Sequence, residues 1–157
     1  MDSVAEYLSL DEPDRSSHLW RYTPWRGIHP TGDVSRVPKL ESPVLGLIGF
    51  DGGAVPDGIS IEEGVHSDII LPGTDALTGT FLRAVTGNSQ WTLRVEPEFS
   101  SEHPVILDID AGDSASVLHL ALKVGRLSDL ELVTRIRGSG EWFGMLRTGD
   151  IGEGSSI

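Results

Sequence analysis

The chain contains no cysteine. That absence excludes disulfides, thiolate nucleophiles and cysteine-held metal from this polypeptide. Basic residues are scarce too: 12 Lys and Arg face 24 Asp and Glu, a formal charge of −12. So acidic a chain is a poor partner for nucleic acid or an anionic membrane surface. No apolar run approaches the ~20 residues of a membrane span. The start, Met1-Asp2-Ser3-Val4-Ala5-Glu6, is acidic where a signal peptide is basic and then apolar. Together these absences predict a cytoplasmic protein. Windows at helical spacing are also few, whereas 19 glycines and nine prolines in 157 residues suit a β-rich fold. That length allows one domain burying about two-thirds of its unfolded surface.

What the chain does have is a regular beat of short strands in its last third. Trp91–Val95 and Val105–Ile109 alternate apolar and polar residues. In Leu118–Val124 the inward set is Leu118, Leu120, Leu122 and Val124, and in Leu130–Ile136 it is Leu130, Leu132 and Ile136. Side chains alternate faces along a strand, so each run offers one apolar face to a core. His119, Lys123, Glu131 and Arg135 then fall on the outward face. Gly112, Gly125, Gly138 and Gly152 punctuate these runs at intervals of 13, 13 and 14 residues. Three copies carry a small residue three positions on (Ala115, Ser128, Ser155) and an aliphatic one five positions on (Val117, Leu130, Ile157). The Gly138 copy keeps only Phe143, and an outlying copy, Gly64…Ser67…Ile69, sits upstream. Glycine permits a tight corner, and a small residue lets stacked corners approach. A recurring strand-corner-strand unit is the mark of a solenoid, although an antiparallel sandwich also turns every 8–12 residues or so.

Upstream, Ser3-Val4-Ala5-Glu6 has the form of a capping box, and Val4, Tyr7 and Leu8 form an apolar stripe. They predict a helix of about two turns that stops before Pro13. An aromatic arm follows, His18-Leu19-Trp20-Arg21-Tyr22-Thr23-Pro24-Trp25-Arg26. Its rings either pack on the fold with arginines laid over them or stack on bases or sugars; packing is the expectation on an acidic protein. A linker with Pro30, Gly32, Pro38 and Pro43 leads to a buried strand at Val44–Phe50 and two turns, Asp51-Gly52-Gly53 and Val55–Ile59. Residues 75 to 83 suit either a short helix or a loop. Residues 1–43 thus read as helix, arm and linker. Residues 44–157 read as a β-solenoid, stacked from about Gly52, that stops at Ile157 midway through a repeat without a polar cap. A continuation of the chain, or a partner covering this end, is therefore expected.

In order, these segments resemble the SufB/SufD family of iron–sulfur cluster assembly proteins. Trp20-Arg21-Tyr22-Thr23-Pro24…Arg26 is similar to the family's W-R-Y-T-x-x-R segment, and Phe50-Asp51-Gly52…Val55-Pro56-Asp57-Gly58-Ile59 to its N-G…L-P-x-G-V passage. Thr92–Val95 with Pro104–Leu107 resembles L-x-I-P…P-I-x-L. Leu122–Gly125 with Leu130–Val133, and then Ile151–Ser155, resembles the repeated I-x-V-G-x-x-A-x-L-x-L-V-E strands. The likeness covers most of the chain, and the arm points to the SufD-like branch. It implies an all-β, right-handed parallel β-helix preceded by a short N-terminal helix and arm. It implies a scaffold working with SufB-like subunits and a SufC-like ABC-type ATPase. In the family, cluster-related Cys and His residues lie late in the β-helix, and the ATPase docks on a C-terminal helical domain. This chain stops before both, so no functional residue is carried over.

The residues themselves supply no catalytic constellation. The five histidines, His18, His29, His66, His103 and His119, show no metal-pair spacing. His66-Ser67-Asp68 has triad residue types, but adjacent residues cannot form a triad. Gly152-Glu153-Gly154 lacks the lysine and helix of a phosphate loop. Glu62-Glu63 and Asp108…Asp110 read as solvated charge. No catalytic, cofactor or metal site is assigned. The main expectation is a non-enzymatic Suf-type scaffold. The alternative is a carbohydrate-binding or carbohydrate-active solenoid, which needs aromatics repeated on one outward face. Here Trp91 and Trp142 stand far apart, and Trp20 and Trp25 precede the strands. The open end at Ile157 is expected to self-associate.

Overall fold

A computed structural model describes residues 3–16, 20–22, 24–29, 32–36, 40–64, 80 and 89–157. The chain forms two compact units, Met1–Lys39 with Asp68–Val85 and Leu40–Ser67 with Thr86–Ile157.

The first unit is organised by aromatic rings. Helix α1 spans Ser3–Leu8, where the capping pattern places it, and α2 is a single turn, Trp25–Ile28. His29, just after α2, is fully buried. Its ring stacks on Trp25 with centroids 4.1 Å apart and meets Tyr7 of α1 edge-on at 4.8 Å. Its Nε2 lies 3.0 Å from the Tyr7 carbonyl, which only accepts, so the ring nitrogen donates. Trp20 adds an edge-to-face contact on Trp25. The arm thus packs through its two tryptophans and leaves Tyr22 outside, 86% exposed.

The second unit holds two sheets. Strands β1 (Val44–Ile48), β4 (Val105–Asp110) and β6 (Leu132–Arg137) form one, in the order β1-β4-β6. Strands β2 (Ile59–Glu63), β3 (Gln90–Val95), β5 (Ser116–Val124) and β7 (Phe143–Ile151) form the other, in the order β2-β3-β5-β7. Strand β4 shows the cleanest alternation: Val105, Leu107 and Ile109 are fully buried between half-exposed neighbours. Leu93, Leu118 and Leu120 are equally buried, and with them these residues form the heart of one core cluster. A side chain of this kind loses roughly 1.5–3 kcal/mol of transfer free energy when exposed.

This arrangement overturns the expected all-β parallel β-helix. The fold is mixed α/β with little helix, and each sheet combines parallel and antiparallel neighbours. β1 runs antiparallel to β4, and β2 antiparallel to β3. The remaining pairs, β3–β5, β4–β6 and β5–β7, are parallel. The physical reason lies upstream, where the glycine beat does not extend. Gly64 directly follows the antiparallel β2, while Ser67 and Ile69 of the outlying repeat lie outside the described residues. Downstream the beat has a different meaning. Hydrogen-bonded neighbours such as Val105 and Leu132, or Ser116 and Phe143, stand 27 residues apart, two glycine intervals rather than one. From β3 to β7, consecutive strands alternate between the two sheets.

The corners show why glycine and serine recur. A Cβ on Gly125 would sit 2.3 Å from the Pro97 nitrogen, and one on Gly152 would sit 2.5 Å from the Arg126 nitrogen. No side chain fits at those distances. The serines then join one corner to the next. Ser155 Oγ donates to the Gly125 carbonyl at 2.6 Å and accepts from the Ser128 amide at 3.0 Å. Ser128 Oγ donates in turn to the Glu96 carbonyl at 2.8 Å. The sequence pattern indicates smallness at these positions; the structure shows that the hydroxyl matters as well.

Candidate functional site

Strands β6 and β7 lie at the margins of their sheets. Residues paired directly across neighbouring strands point to the same face. Leu132, Thr134 and Ile136 pair with the buried Val105, Leu107 and Ile109, and therefore face inward. Phe143, Met145, Arg147 and Ile151 pair with Ser116, Leu118, Leu120 and Val124, and face inward likewise. Leu132 and Phe143 are partly buried against the core. Ile136, Met145 and Ile151 remain 49%, 37% and 42% exposed. Ile136 was expected in the core; the direction is right, but on a marginal strand it stays half exposed. In the midst of this layer, Arg147 Nη2 donates to Thr134 Oγ1 at 3.2 Å, linking the two sheets. Its guanidinium makes no ion pair among the described residues. The result is an apolar strip around one cation, bordered by two strand edges.

The sequence signal for this surface lies in a 27-residue offset. Arg147 stands 27 residues after the buried Leu120, so aligning the chain on that offset puts a cation in an inward slot.

Other arginines of this unit do find carboxylates. On the outer face of the three-stranded sheet, Asp108 accepts from Arg135 Nε and from Arg137 Nη2, the latter at 2.9 Å, while Arg137 also lies 3.5 Å from Asp110. Hydrogen bonds from Arg137 and then Arg135 hold the Asp108 carboxyl well below the usual carboxylate range. On the outer face of the other sheet, Arg94, Lys123 and Asp150 follow in register, and Arg94 lies 3.7 Å from Glu62. Glu62 and Glu63 are exposed, but Asp108, expected as solvated charge, is largely covered and held by two arginines.

Of the histidines, His18 and His66 lie outside the described residues, as do Ser67 and Asp68. His103 is exposed and stacks on Phe50 at 4.9 Å. His119 takes the outward face of its strand as expected, but that face is covered. It is buried, with Nε2 2.8 Å from Thr148 Oγ1. Strand β5 is buried on both faces from Ser116 to Leu120, and strand alternation alone cannot show a covered outer face. Among the described residues no three His, Asp or Glu side chains converge as a metal site. Trp91 packs against the core whereas Trp142 is half exposed beside β7.

No family model, curated protein or solved structure matches the chain. Among the described residues, no helix is long and apolar enough to cross a membrane.

Proposed function

We propose that the chain is a non-enzymatic scaffold or assembly subunit of a Suf-type iron–sulfur cluster system, SufD-like, working in the cytoplasm with SufB-like and SufC-like subunits. The observation that carries this reading is the strip on β6 and β7. Two strand edges and the exposed Ile136, Met145 and Ile151 surround Arg147, which makes no ion pair among the described residues. Strand edges recruit further strands, and contiguous exposed apolar surface marks association sites. A partner seated there must bring a hydrogen-bond acceptor, best a carboxylate, to Arg147, because a buried unpaired guanidinium is costly. The ordered resemblance of residues 20–155 to the SufB/SufD segments supplies the partner class.

Co-expression with SufB-like and SufC-like subunits, followed by affinity capture and sedimentation, tests the proposal. A defined complex is expected, weakened at least about tenfold by Met145→Asp or Arg147→Glu, since truncating an interfacial hot spot costs about 2 kcal/mol or more. Capture of neither subunit, or indifference of the complex to both substitutions, removes the basis of the reading.

A further inference from the structure

We infer that a cleft in the first unit binds a nucleoside phosphate. The cleft measures about 410 Å³ and is lined by Glu12, Arg15, Trp20, Arg21, Tyr22 and Arg26, among others. Its volume suits a small molecule, for which sites run from ~300 to 1,000 Å³.

The chemistry of the lining is unlike that of the rest of the chain. Three arginines and one glutamate give a local net of 3 − 1 = +2 on a chain of −12. Glu12 is committed to Arg26 through a 2.9 Å contact. Arg15 and Arg21 have no ion pair among the described residues, although carboxylates outnumber cations two to one in the chain. Guanidiniums present paired N–H donors that match phosphate oxygens.

The second feature is the aromatic wall. Trp20 sits edge-on against Trp25, which stacks on the buried His29. That chain of rings fixes the wall before any ligand arrives, so little ordering is needed on binding. Tyr22 is free to meet a flat ring, and aromatic side chains stack on any nucleobase. A phosphate alone leaves the rings unused; an uncharged nucleoside leaves the arginines unused. One ligand satisfies both: a nucleobase joined to phosphate.

Calorimetric titration of the full chain with AMP, with adenosine and with inorganic phosphate tests this. AMP is expected to bind saturably, with both fragments at least about tenfold weaker. Arg21→Gln and Tyr22→Ala should each weaken AMP by about fivefold or more. Arg126→Gln, an exposed arginine of the other unit beside Glu98, should not. Arg21 and Tyr22 are exposed, so both variants should keep the parent's circular dichroism and unfolding midpoint. The inference falls if AMP fails to saturate, if phosphate binds as well as AMP, or if the folded Arg21 and Tyr22 variants bind like the parent.

Discussion

At the scale of single residues, the stacked corners carry the sharpest constraints. Glu98, Leu127 and Gly154 occupy equivalent corner positions, and all three are left-handed, with φ of 63°, 57° and 71°. Only Gly154 is the residue type that this region favours; a side chain there costs roughly 1–2 kcal/mol. Leu127 is also exposed, so its side chain returns little burial energy. Leu127→Asn should therefore raise stability by about 0.5–1 kcal/mol, because asparagine tolerates this backbone. Gly154→Ala should lower it by about 1–2 kcal/mol, because the new Cβ takes on the strain and meets Leu127 Cδ2 at 2.9 Å. Urea unfolding of both variants checks the pair, and a gain from Gly154→Ala would refute the account. Ser155→Ala leaves the Ser128 amide without its acceptor and should cost about 1–3 kcal/mol.

At the scale of strands, pattern and burial separate. Leu107→Ala should cost about 2–5 kcal/mol, as for a closed core site. Ile136→Ala should cost well under half of that, although both residues face inward from neighbouring strands. The positions of β1, β3, β4 and β5 were legible in the sequence because apolar residues alternate there or run together, and α1 was legible from its capping pattern. Strand direction was not. An apolar alternation is the same read forwards or backwards, so nothing in Val44–Ile48 or Ile59–Glu63 announces antiparallel pairing. Nor was the cover over His119 legible, since a local pattern carries no information about what lies across its outer face. The inward placement of Arg147 is not legible locally, because its neighbours in space lie 27 residues away.

The Asp108 cluster operates at the same scale, tying β4 to β6. Its folded-state pKa lies below the unfolded value, so its contribution is complete above the unfolded pKa of about 4 and is lost as pH falls below it. Asp108→Asn should flatten the acid side of the stability profile between about pH 5 and pH 2 while leaving its shape near neutrality unchanged. Denaturant midpoints across that range measure the effect. An unchanged acid limb would show that the two arginines are held by other contacts.

At the scale of the whole molecule, charge and surface oppose each other. The charge of −12 keeps copies apart, while the β6–β7 strip draws them together. Salt screens the first and spares the second: the Debye length falls from about 30 Å at 0.01 M to about 8 Å at 0.15 M. The purified chain should sediment as smaller species at low ionic strength and associate on addition of salt, and Met145→Asp should suppress that association. A monomer under both conditions would show that the strip does not pair with itself.

Strand β7 also carries a clock. In a parallel pair the amides of alternate residues point to the same neighbour. The Gly152 amide bonds to Val124 and the Trp142 carbonyl accepts from Ser116, so the even-numbered residues of β7 turn toward β5. The amides of Met145, Arg147, Gly149 and Ile151 therefore turn the other way, toward solvent. In deuterated water these four should exchange first, while Gly144, Leu146, Thr148 and Asp150 hold their protons until the sheet opens. A strand laid along this edge would silence the fast set and leave the slow set untouched, so the odd-numbered amides report, residue by residue, when the edge is occupied.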